Sequence, residues 1–261
     1  MPLFLITALA GAVLSGISLA IFAPWVTLRK ISYMGEALSH IAFAGIAIAI
    51  ITGINLTLSA TIFVCLVSLG ISWLARRQQL QEANTITIFL SLSMALGIIL
   101  ISLSRTYSFD LASYLFGNVL LIQSSELIAL GILTLMNIAF VLIFYKELFY
   151  LSYNPEMAKV FRIKTTPADK LFSLLLAANI VLNLKSAGII LVSAQLILPA
   201  VIAFNLARSL PQALIIAVFS AIISAGAGFA VSYLLNLPTG ATIVVCQALL
   251  YALSFLFKRR M

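Results

Sequence analysis

Glu36 and His40 stand four residues apart in Tyr33-Met34-Gly35-Glu36-Ala37-Leu38-Ser39-His40, and His40 is the sole histidine of the chain. On an α-helix that spacing stacks a carboxylate and an imidazole on one face, close enough to share one ion. The pair is therefore a candidate two-donor metal site. Ile41 to Ile50 carry no charge, so the pair opens a segment that reads as membrane-spanning. An ionised carboxylate near the bilayer centre is disfavoured by roughly 2.5–3.5 kcal/mol on insertion scales. Something must offset that cost, and a passing cation would. Counted from Lys30 at about 1.5 Å per residue, Glu36 and His40 lie about 9 and 15 Å deep in a hydrocarbon core of about 30 Å.

The rest of the chain has to hold that helix in lipid. Of 261 residues, 63% are hydrophobic and 8% charged, against about 25% charged in an ordinary soluble domain. The fold class is an all-α polytopic membrane protein, with 1–261 as one transmembrane domain and no stretch long enough for a separate soluble one. Nine apolar segments lie near 3–28, 36–53, 56–75, 86–104, 126–145, 169–183, 186–207, 211–234 and 239–257. If one segment of the 169–207 hairpin is re-entrant, the count is eight. The net charge of +8 would suggest nucleic acid in a soluble protein, but its distribution says otherwise. With the first connection inside, 13 of the 15 Lys and Arg fall on the inner side and only Arg105 and Lys185 outside. The positive-inside rule then gives an external N-terminus, a cytoplasmic C-terminus and lipid as the surroundings. The first segment lacks a basic n-region and is too long for an h-region, so it reads as a span and not a cleaved signal. Trp25 and Trp73, each ahead of an inner basic pair, are expected at the interface. Cys65 and Cys246 lie in apolar segments, show no CxxC spacing and read as small buried residues.

Along the chain, Pro24 is expected to bend the first span. Ala37, Ala44, Gly45 and Ala47 would let another helix, or a second copy of the same one, approach the second span. Residues 105–125 form an aromatic outer segment; Asp110 and Glu126 are the acids on that side, read as solvated in preference to attracting a cation. The polar stretch 146–170 carries Asn154-Pro155-Glu156 and Thr166-Pro167-Ala168-Asp169, each with the grammar of a helix start. It predicts two short helices and a cytoplasmic docking surface. Asn183 to Gly188 reads as an outer turn, and Pro199 falls inside a span, where it is tolerated if buried in protein or lining a cavity.

Arg29 to His40 resembles the second-helix motif of the metal-importing ABC permeases that handle zinc, manganese and iron. Asp110 to Gly117, Asn154 to Ala158, Ala187-Gly188, Leu198-Pro199-Ala200 and Leu237-Pro238-Thr239-Gly240 fall in the order of similar stretches of that family. The resemblance covers essentially the whole chain, most resembles the zinc-importer permease, and has the second-helix motif as its specific part. It implies a type II ABC-importer-like permease of eight or nine transmembrane helices in the bacterial inner membrane. It further implies a homodimer, a separate cytoplasmic ATPase dimer docking on 146–170, and an extracytoplasmic metal-binding protein that delivers the ion. Glu36 and His40 become the metal ligands, with Zn²⁺ the favoured cargo, Mn²⁺ and Fe²⁺ the alternatives, and no permanently bound cofactor. The family carries aspartate where this chain has Glu36, so the carboxylate is kept and extended by one methylene.

No GxxxxGK[ST] occurs, so the chain has no P-loop to hold nucleotide phosphates and takes its energy from elsewhere. Two copies meeting along the second helix would offer two carboxylates and two imidazoles, a set that suits tetrahedral Zn²⁺. Lacking thiolate, the same set suits Mn²⁺ or Fe²⁺. A gradient-driven secondary transporter using the pair as a proton relay is the alternative. An intramembrane hydrolase fits least, since one histidine is a thin inventory for such a centre. A purely structural Glu–His pair is the remaining reading.

Overall fold

The computed structural model describes residues 3–78, 82–103 and 122–257, which form helices joined by short connections. Arg105, Asp110 and Lys258 to Arg260 lie outside the described residues.

The first helix, α1 (Leu3–Ala20), stops at a turn over 21–22, and α2 (Ala23–Leu28) begins with Pro24 in its first turn. Proline there lacks only an N–H that no helix could have paired, so the expected bend is a break followed by a new short helix. That helix is driven inward. Phe22 and Trp25 are fully buried, Phe22 edge-on to Phe172 at 5.2 Å and Trp25 edge-on to Tyr145 at 5.8 Å. Trp25 is thus a core residue and not the interfacial one its place before Arg29 suggested. Trp73 keeps that character, 57% exposed with the Arg77 guanidinium 5.1 Å above its ring.

The Glu36/His40 segment is α3 (Met34–Thr52), closed by Gly53 in the left-handed region at φ 73°, which glycine adopts without a Cβ penalty. Helices α4 (Leu56–Gln78) and α5 (Glu82–Leu103) pack on it. A Cβ on Gly45 would meet the Ala60 Cα at 2.6 Å, and one on Gly97 would meet the Phe43 ring at 2.6 Å. The small residues of the second span are therefore spent on neighbours within the same chain, and Ala37, Ala44 and Ala47 are fully buried. A second copy would have to approach α3 by another route.

After α6 (Ser124–Ile143) come two short helices, α7 (Tyr145–Tyr153) and α8 (Pro155–Val160). Asn154 caps α8, its side chain accepting from Met157 N at 3.1 Å, as the sequence predicted. The second predicted start is displaced. Helix α9 (Thr165–Gln195) begins one residue before Thr166, with Lys164 as its N-cap and no side-chain cap bond, and it is long where a short helix was expected.

Residues 165–206 form an apolar stretch of 42 residues, about 63 Å if straight and twice the hydrocarbon thickness. The stretch doubles back. Asp169 meets Arg29 on the side of Tyr145, Lys185 meets Glu126 at the far end of α6, and Pro211 lines one groove with Tyr145. Between Lys185 and Pro211 the chain returns, and Gly188 (φ 77°, ψ 165°) is the non-helical residue at the turn. Among the described residues eight helices are long and apolar enough to cross a membrane, the folded-back Thr165–Leu206 stretch counted as one. Its return leg breaks at 196–197, and Pro199 falls in the first turn of α10 (Leu198–Leu206). Helices α11 (Leu210–Leu235) and α12 (Thr239–Leu256) complete the bundle.

Buried amides tie α9 to its neighbours. Asn137 Nδ2 donates to Asn179 Oδ1 at 3.0 Å, Asn183 Nδ2 to Ser18 Oγ at 3.2 Å, and Gln247 Nε2 to Gln195 Oε1 at 3.1 Å. In lipid such bonds supply the helix–helix specificity that apolar contact cannot.

Candidate metal site and the segment beneath it

Glu36 occupies the first turn of α3, where the helix dipole favours an acid, and its side chain is exposed on the surface of the single chain. His40 lies one turn further on and is half-buried. The helix that presents them is rigidly seated. Its candidate span is 67% buried, the highest of the eight, and a Cβ on Gly35 would meet Leu196 Cδ1 at 2.6 Å. Ser39, between the two donors, is fully buried and turns its hydroxyl back to donate to Gly35 O at 2.8 Å.

Among the described residues, no side-chain hydrogen bond or ion pair within the chain engages Glu36 or His40. Nor do they include a group of three or more His, Cys, Asp and Glu able to hold a metal. One chain therefore brings one carboxylate and one imidazole to the site, half the donors of a four-coordinate ion. The structure keeps both on one helix, one turn apart.

Beneath α3 a buried ion pair joins the chain's second helix to α9. Arg29 Nη2 lies 2.8 Å from Asp169 Oδ1, with side chains 7% and 5% exposed. The guanidinium carbon also sits 4.9 Å over the Phe172 ring. Next to the pair opens a recess of about 1050 Å³ whose lining includes Lys30, Lys159, Lys164, Ser152 and Thr166. Sequence reasoning passed over this pair, taking Asp169 only as part of a helix start. A signal was present: an acid and an arginine each stand where a polar stretch meets an apolar one on the same side of the bundle, and each needs a partner once buried.

Glu126, expected as a solvated acid, has other employment. It closes a capping box at the start of α6, accepting from Gln123 N at 3.1 Å, and its other oxygen pairs with Lys185 Nζ at 2.5 Å. Neither cysteine is paired, and both are half-buried where buried residues were expected; Cys65 points its thiol at Leu174 O, 3.8 Å away.

The model of the ABC 3 transport family matches residues 1–258. The chain belongs to the ABC 3 transport family. This ABC 3 chain is 36% identical over 254 residues to the manganese transport system membrane protein MntC of Listeria innocua, covering 97% of this chain and 90% of the relative. It is 30% identical over 254 residues to the high-affinity zinc uptake system membrane protein ZnuB of Haemophilus influenzae, covering 96% and 95%. Among solved structures it superposes on PsaBC from Streptococcus pneumoniae, in complex with Fab, with a TM-score of 0.83 at 29% identity, covering 97% of this chain and 91% of that one. An inward-facing metal-chelate type ABC transporter shares the fold, with a TM-score of 0.73 at 18% identity over 97% and 87%. The ABC 3 chain is thus a metal-importing ABC permease by family, a multi-pass bacterial membrane protein, and a transport subunit in kind.

Proposed function

We infer that this permease carries a divalent transition metal inward, and that Glu36 and His40 are its ligands on this chain. The observation that carries the reading is the placement of a carboxylate and the sole imidazole one turn apart on the most enclosed span, with no partner among the described residues. A half-set of donors held this rigidly asks for a second half-set. Two copies of the chain related by a twofold axis supply it, giving two carboxylates and two imidazoles around one ion. Zn²⁺ and Mn²⁺ are both cargoes of this reading, since the set holds no thiolate and the relatives are named for manganese at 36% identity and zinc at 30%.

The basic recess and the 146–170 segment lie on one side of the bundle, which the positive-inside rule makes cytoplasmic. The C-terminus falls on that side. A separate ATPase dimer docks there on α7 and α8, and a metal-binding protein delivers the ion at the opposite face, with residues 1–261 acting as one permease domain. The test is uptake of zinc and of manganese, each in competition with the other, in vesicles holding the permease with its ATPase and delivery protein. His40→Ala and Glu36→Gln are expected to insert and dimerise normally and to lose uptake. Full uptake by both would remove them as ligands. Gradient-driven uptake by the permease alone would replace the ATP-driven reading with a secondary transporter.

A further inference from the structure

We propose that the Arg29–Asp169 ion pair is the mechanical link that carries movement of the 146–170 segment to the helix bearing Glu36. The inference rests on the reading that an ATPase docks on that segment. Its footing is the geometry on either side of the pair. Asp169 lies in the opening turns of α9, directly after the linker from α8. Arg29 caps α2, and only Lys30 to Tyr33 separate it from α3. Lys30 takes the left-handed conformation at φ 59°, so the chain reverses sharply there and not through a slack loop.

The pair's chemistry favours transmission over adhesion. Two charges almost wholly withdrawn from water add little net stability, because an apolar pair of similar volume would hold the helices as well or better. What a guanidinium and a carboxylate add is direction: a planar fork accepts its partner in few orientations. Phe172, under the guanidinium at 4.9 Å, fixes the plane of that fork from the α9 side. A second grip completes the coupling. Trp25, one turn before Arg29, packs on Tyr145, the first residue of α7. Helix α2 is therefore held at two points, by Tyr145 just ahead of the segment and by Asp169 at its end. Where α2 goes, the first turn of α3 follows, and Glu36 is in that turn.

The pair is thus a positioning device, and its loss should uncouple ATP use from transport while leaving ATP use in place. The measurement is metal taken up per ATP hydrolysed by the permease–ATPase complex in vesicles with the delivery protein present. Asp169→Asn, which keeps the shape and removes the charge, is expected to keep hydrolysis within about twofold and to lower metal moved per ATP roughly tenfold. The exchange Arg29→Asp with Asp169→Arg should recover most of that loss. An unchanged ratio in Asp169→Asn, or hydrolysis and uptake falling in proportion, overturns the link. Should Asp169→Asn fail to insert, spin labels at Met157 and Tyr33, both exposed, decide it in an otherwise native chain with Cys65 and Cys246 replaced by alanine. A linked segment keeps that distance through ATP binding; a change beyond about 5 Å, the size of a one-turn slip, overturns it. If the unaltered complex imports no metal, the functional reading fails; if it imports and Asp169→Asn stays coupled, only the link does.

Discussion

Gly45 and Ala60 meet backbone to backbone: a Cβ on the glycine would lie 2.6 Å from the Ala60 Cα, and Ser59 Oγ donates to Gly45 O at 2.7 Å across the same contact. Gly45→Ala must push α3 off α4, and overpacking of this kind costs about 1–3 kcal/mol. Gly131→Ala and Gly226→Ala place their methyl groups in open space. Within helices these are expected to be neutral or to stabilise by up to about 1 kcal/mol. Thermal unfolding in detergent separates the cases. An equal fall in Tm for all three would mean that close approach is not what Gly45 provides.

The amide contact between Asn137 and Asn179 joins α6 to α9 with both side chains fully buried. Asn179→Leu leaves the Asn137 donor without its partner, which within a bilayer costs about 0.6–1.7 kcal/mol. Replacing both by leucine removes the orphan as well as the bond. The double variant is expected to be less damaged than the sum of the singles, and a double-mutant cycle on unfolding measures the difference. Strict additivity would show that the two amides act independently.

Local chemistry was what the sequence displayed most openly. Asn154-Pro155-Glu156 predicted the start of α8 because a cap is decided by residues within one turn. The apolar segments were likewise legible, since apolar length is written in order along the chain, and eight of the described helices have it. The outer turn expected over Asn183 to Gly188 was not, for the chain stays helical and mostly buried to Ala187 and departs from the helix at Gly188. What could not be read was which apolar residue faces lipid and which faces protein. Trp25 looked interfacial and is buried on Tyr145; Ala37, Ala44 and Ala47 looked available to a second copy and are enclosed by their own chain. Both environments are apolar, so hydropathy does not separate them. The candidate site divides the same way: Glu36 and His40 are four apart and visible, whereas Arg29 and Asp169 are distant in sequence and meet only through the fold.

Glu126 serves α6 in two ways that substitution can separate. Glu126→Gln loses the charge facing Lys185 and keeps a side chain able to accept from Gln123 N. The ion pair is 45% and 29% exposed, so its loss is worth less than about 1 kcal/mol and shrinks as salt is raised. Glu126→Ala loses the cap too, at a further cost of about 0.5–2 kcal/mol that salt leaves alone. Unfolding at low and high ionic strength distinguishes the two. A total loss in Glu126→Ala equal to that in Glu126→Gln at both ionic strengths would mean that the cap contributes nothing.

Glu36→Asp tests whether the added methylene is needed. Glu36 stands in the first turn of a helix packed backbone to backbone on α4 at Gly45, so substituting its side chain does not by itself draw the helix toward the ion. The carboxylate must reach the ion by its own length, in step with an imidazole one turn on. In this chain Glu36→Asp is expected to keep metal binding and weaken it by roughly 10–100-fold, the scale seen when a metal centre's supporting geometry is disturbed. Glu36→Gln, which keeps the length and loses the charge, should bind more weakly than Glu36→Asp. Equilibrium binding of Zn²⁺ and Mn²⁺ to the purified permease, measured for both variants, gives the order. If Glu36→Gln binds as tightly as the unaltered chain, the carboxylate is not a ligand and the pair is structural.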